Sequence, residues 1–111
     1  MANITVDAAK AFMEHRKFNR SNTNVMIDAE GKAYMSLFGN LIATHTKEGV
    51  ISITDAGWDT KTTKTRLNGL PLCRIHSLKK QWYLNGEKWN GEWVDMIWSD
   101  PICIMNIRTN N

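Results

Sequence analysis

The chain has 111 residues, 42% of them hydrophobic and 23% charged, with a net charge of +3. That length leaves room for one core, so a single domain over residues 1–111 is expected. The composition excludes a disordered polymer, and no apolar run approaches the roughly 20 residues that cross a bilayer. The N-terminal MANITVDAAK lacks the charged-then-apolar pattern of a secretory signal, and a cytosolic protein is the expectation.

Residues 5–19 read as a helix. Thr5 or Asp7 can cap it, Ala9, Phe12 and Met13 recur at helical spacing, and His15-Arg16-Lys17 makes its last turn basic. Residues 19–24 follow as a polar connector. From Val25 the pattern changes to short β-branched and apolar runs separated by turn residues. Val25–Ile27, Lys32–Phe38, Leu41–Thr46 and Val50–Thr54 read as strands, with Gly39-Asn40 as a two-residue hairpin turn.

Asp55-Ala56-Gly57 breaks this meander, and a helix follows over about residues 60–70. Thr60 or Thr62 is its expected cap, Leu67 and Leu70 its buried face, and Trp58 the side chain expected to seat it against the sheet. Strands resume with Leu72–His76, turn at Lys79-Lys80, continue through Gln81–Leu84, and turn again at Asn85-Gly86, a strong hairpin signal. Val94–Trp98 and Ile102–Ile107 complete the set. The expected architecture is α+β: a curled antiparallel sheet over about residues 25–107, an N-terminal helix and one short inserted helix.

Charge is unevenly spread. Residues 61–80 carry Lys61, Lys64, Arg66, Arg74, Lys79 and Lys80 with no carboxylate, whereas residues 87–100 carry Glu87, Glu92, Asp95 and Asp100 against Lys88. A helix start rich in threonine hydroxyls and lysines is suited to phosphate, because free N–H groups and the positive end of the dipole meet there. Lys61, Thr62, Thr63, Lys64 and Arg66 are therefore candidate nucleic-acid contacts, helped by Arg74, Lys79 and Lys80. The competing reading is a solvated face on a capped helix.

The second candidate is aromatic: Trp82, Tyr83, Trp89, Trp93 and Trp98. Tryptophans fill small cores, anchor protein interfaces, and stack on unpaired bases. The acidic residues around Trp93 favour core or interface over base stacking. Catalysis has no motif to stand on. His15, His45 and His76 are dispersed, and no serine or cysteine lies in a nucleophile pattern, so a non-enzymatic protein is expected. Cys73 and Cys103 each lie in an apolar run and read as buried thiols. No spacing suggests a metal site, and no cofactor is expected.

The segments FGNLIATHT, AGWDTKTTKTRLNGL and QWYLNGEKWNGEW together resemble a set of small uncharacterised proteins encoded by tailed bacteriophages. The resemblance spans roughly residues 34–93, with Trp58, Arg66, Leu67, Asn68 and Trp82 at matched positions. It implies an accessory gene product acting in the cytoplasm of an infected bacterium, and carries no activity with it. Two functions fit. One is binding to nucleic acid or a nucleoprotein through the basic helix start. The other is docking on a bacterial host or defence protein through Trp89, Trp93 and Trp98 or a sheet edge, with homodimerisation as a variant of the same surface.

Overall fold

The computed structural model describes residues 3–97. The first helix, α1 (Ile4–Met13), begins where a side chain satisfies its free N–H groups: Asn3 Oδ1 accepts from Thr5 at 2.9 Å and Val6 at 3.2 Å. The cap is Asn3 rather than Thr5 or Asp7. The helix also stops short of residue 19, because His15 takes a φ of +55°, outside the right-handed helical region. Ala8, Ala9, Ala11 and Phe12 form its buried face.

A meander follows: β1 (Phe18–Arg20), β2 (Thr23–Ile27), β3 (Ala33–Leu37), β4 (Asn40–His45) and β5 (Val50–Ile53). Alternation is clear on β2 and β3. Thr23, Val25, Ala33, Met35 and Leu37 are buried, while Asn24, Met26, Tyr34 and Ser36 turn the other way. The expected polar connector at residues 19–24 in fact begins with β1, whose Phe18 pairs with Val25 and whose Arg20 pairs with Thr23. A short polar strand suits that position at the sheet edge.

After β5 come α2 (Lys61–Asn68), β6 (Ile75–Leu78), β7 (Gln81–Leu84), β8 (Glu87–Lys88) and β9 (Val94–Ile97). β9 returns beside β5, giving a six-stranded sheet in the order β1-β2-β3-β4-β5-β9, while β6-β7-β8 forms a second sheet. All pairings are antiparallel. The α+β architecture holds, with two sheets where one curled sheet was expected. The strand expected at residues 72–76 starts later, because Leu72 has a φ of +71° and Asn68 pairs with both backbone groups of Ile75 at 2.8 and 2.6 Å.

Phe12, Val25, Met35, Ile42, Ile51, Ile53 and Leu67 lie at the centre of the core. Leu67 on α2 and Leu70 just past its end are buried as their spacing implies, and Thr60 is the cap of the helix. Cys73 is a free thiol, and burial pushes its pKa up to about 12. Cys103, Trp98 and the strand expected at residues 102–107 lie outside the described residues. Among the described residues no helix is long and apolar enough to cross a membrane.

Candidate functional site

The eight basic-site candidates separate once they are placed on the fold. Arg66 is buried on the inner side of α2. Its Nε donates to Thr23 Oγ1 at 2.9 Å, Nη1 to Thr5 Oγ1 at 2.7 Å and Nη2 to Asn22 Oδ1 at 3.3 Å. Burial lowers its pKa from the ordinary value, and its partners are neutral oxygens. Arg66 is thus a tie between α2, α1 and the β1–β2 turn, and its donors are not open to a phosphate. Thr63 is buried too, its N–H donating to Thr60 Oγ1 at 3.2 Å.

Lys61 is exposed at the first turn of α2, with Thr62 half-buried beside it. Lys64 reaches across to β6, its Nζ 3.2 Å from Ser77 Oγ. That contact brings α2 alongside the hairpin whose turn carries exposed Lys79 and Lys80. Arg74 lies just before the other end of β6, with roughly 13 Å of strand between it and that turn. The fold gathers Lys61, Lys64, Lys79 and Lys80, and leaves Arg66, Thr63 and Arg74 out of the group. Asp59 is exposed beside Lys61, and it lines a shallow depression with Lys80 and Asp55.

The start of α2 also borders an apolar cleft of about 190 Å³, lined by Leu37, Phe38, Ile42, Asp55, Trp58 and Thr63 with Asn40 and Thr60. Drug-sized ligands occupy roughly 300–1,000 Å³, so this cleft suits one ring system. Trp58 was expected to seat α2 in the sheet. Instead it is 57% exposed, and Phe38 is 69% exposed. Both stand at the mouth of the cleft, where apolar surface meets water without return.

Phe38 is unusual in its backbone as well. Leu37 pairs with Asn40, so the turn is Phe38-Gly39 rather than the expected Gly39-Asn40. Its residues take φ of +52° and +81°, as a type I′ hairpin turn requires. Asn-Gly is the ordinary sequence there, and a bulky residue in this region costs about 1–2 kcal/mol. The anomaly was readable in the sequence only if the turn had been placed one residue earlier.

The surroundings hold both aromatic residues in place. Phe38 N–H donates to Asn22 C=O at 2.7 Å, and Asn22 is in turn held by Arg66. On the other wall, Asp55 Oδ1 accepts from Gly57 N–H at 2.8 Å, and Trp58 N–H donates to Asp55 C=O at 2.8 Å. Asp55 N–H donates to Gly91 C=O at 3.0 Å, and its carboxylate lies where a Cβ on Gly91 would sit. Arg66, matched in the phage resemblance, therefore acts on Phe38 through Asn22.

The tryptophans also divide. Trp82 and Trp89 are buried with ring centroids 6.2 Å apart, which removes Trp89 from the docking patch, whereas Trp93 is 50% exposed. Of the dispersed histidines, the fold stacks His15 on His45 at 4.3 Å, and His76 lies on Tyr83 at 5.1 Å. Among the described residues no group of three or more His, Cys, Asp or Glu side chains is placed to hold a metal ion.

The family model of the Kyanoviridae Gp96 protein matches residues 1–100 of the chain. No curated protein and no solved structure matches it.

Proposed function

The chain belongs to the Kyanoviridae Gp96 family of bacteriophage proteins, and from that premise we propose that it is a non-enzymatic accessory protein that binds unpaired nucleic acid. A base enters the cleft at Phe38 and Trp58, and the sugar–phosphate chain runs over Lys61, Lys64, Lys79 and Lys80. The observation that carries this reading is Phe38: a strained backbone and a solvent-exposed ring, both unfavourable in the free protein, at the mouth of an apolar cleft. Stacking on an aromatic ring is worth about 1–3 kcal/mol per base and tolerates any sequence. The lysines supply the phosphate contacts that make such binding fall with salt.

The test is a fluorescence-anisotropy titration of labelled single- and double-stranded oligonucleotides at low salt. Single strands bind tighter than duplexes, and Phe38→Ala or Trp58→Ala weakens them at least about fivefold. Equal binding of duplex and single strand, with both aromatic variants unchanged, sinks the reading.

A second reading rests on Trp93, exposed between Glu92 and Asp95 where a phosphate chain would be repelled. It is docking on a host or defence protein, with self-association as its simpler form. A partner retained from nuclease-treated bacterial lysate, and lost in Trp93→Ala, supports it.

A further inference from the structure

The cleft has a neighbour whose rim carries side-chain amides. A shallow, open cup of about 470 Å³ lies at the same end of the six-stranded sheet, between the β1–β2 and β3–β4 turns. Its wall is made by Asn19, Ser21, Asn22 and Asn24 with the Phe38-Gly39 turn. Phe38 is the single residue that lines both the cup and the cleft. One ring thus stands between the apolar cleft and a depression edged by side-chain amides.

The amides are not equivalent. Asn22 Oδ1 already accepts from Arg66 and from Thr23 Oγ1 at 2.7 Å, so it serves the fold. Asn19 and Asn24 are cross-strand partners on β1 and β2, side by side on one face. Their side-chain amides make no hydrogen bond to another described residue. Each offers one acceptor and two donors. A pair of adjacent amides with no partner among the described residues, beside an aromatic ring, is the chemistry that reads a base edge, since unpaired bases leave their Watson–Crick edges open.

We infer that the cup is a second nucleotide subsite, where Asn19 and Asn24 hydrogen-bond the edge of the base next to the one held in the cleft. Phe38 stands between the two bases. This rests on the nucleic-acid reading above and adds selectivity to it: the cleft accepts any base, and the cup prefers one. Arg66 is a positioning residue for both subsites, because Asn22 joins its guanidinium to the Phe38 N–H.

The experiment compares labelled oligo(dA), oligo(dC) and oligo(dT) of equal length, with the wild type, Asn24→Ala and Asn19→Ala. The wild type prefers one base by at least about fivefold, the lower end for a well-made bidentate amide contact. The Asn variants lose that preference while binding the disfavoured oligonucleotides as before. Their circular dichroism melts match the wild type, since neither amide is tied into the fold. A wild type without base preference, or Asn variants that retain it, overturns the inference and leaves the stacking cleft standing. Failure of every oligonucleotide to bind overturns both.

Discussion

Two pairs of aromatic residues in this chain live under opposite conditions. Trp82 and Trp89 are buried against one another, and the Trp89 indole N–H donates to Glu92 C=O at 2.9 Å. Their apolar area is out of water, worth roughly 25 cal/mol for each Å², and the polar handle of Trp89 is satisfied. Phe38 and Trp58 gain little of this. They stay more than half exposed, and Phe38 also sits in a left-handed backbone conformation. The fold needs the first pair. It does not rest on the second.

The largest effect separates the pairs directly. Trp82→Ala removes a buried indole and is expected to cost about 3–5 kcal/mol. Trp58→Ala, on an exposed ring, stays within about 0.5 kcal/mol of the wild type. Urea denaturation measures both. A Trp58 variant as damaged as the Trp82 variant would make Trp58 a packing residue and collapse the contrast.

Arg66 tests what holds the exposed pair. Arg66→Ala leaves Thr5, Asn22 and Thr23 without their charged donor, and hydrogen bonds to charged groups contribute about 1.5–3 kcal/mol each without adding fully. A loss of about 2–3 kcal/mol is expected. Arg66→Lys recovers only part, because an ammonium lacks the planar fork that reaches three oxygens on separate segments. Lys61→Ala, on the outer side of the same helix, leaves the urea midpoint unchanged.

Arg66 also shows where sequence reasoning reached its limit. Helical spacing put Leu67 and Leu70 inward correctly, because apolar residues have only one sensible destination. It could not decide Arg66, since a guanidinium is welcome in water and tolerated inside when enough oxygens converge. Those oxygens come from Thr5, Asn22 and Thr23, more than 40 positions away. Trp58 failed for the mirror reason: size suggested burial, yet nothing local says whether a neighbouring strand covers the ring. The longer strands and hairpins such as Asn85-Gly86 were legible from turn chemistry, whereas the short strands β1 and β8 were not. The division into two sheets was not, because β9 chooses its partner β5 across the whole of α2 and the second sheet.

Acid is expected to loosen the molecule away from the aromatic cleft. His45 is buried on β4, its Nδ1 lies 3.2 Å from Phe12 C=O, and His15 stacks on it at 4.3 Å. Burial lowers the His45 pKa below the ordinary 6.5, with the nearby His15 acting in the same direction and the Phe12 carbonyl opposing. The unfolded chain therefore takes up a proton before the folded one does. Stability is fully present above pH 6.5 and declines as pH falls through the folded pKa. Urea midpoints at pH 7.5 and pH 5 measure the decline, and His45→Gln is expected to reduce it. A midpoint that rises on acidification would contradict the assignment of His45 as neutral.

The last change in stability is small, has the opposite sign, and bears most directly on the contrast. Phe38→Asn places the residue that type I′ turns favour at a position where φ is +52°, ahead of a glycine already suited to its own +81°. Relief of strain is expected to raise stability by about 0.5–1 kcal/mol, since the lost ring was mostly in water. The same substitution removes the stacking surface, and single-stranded oligonucleotide binding is expected to fall at least about fivefold. A gain in stability joined to a loss of binding identifies Phe38 as a residue kept against the interest of the fold. If Phe38→Asn instead destabilises the protein, the ring belongs with Trp82 and Trp89, and exposure at this turn says nothing about function.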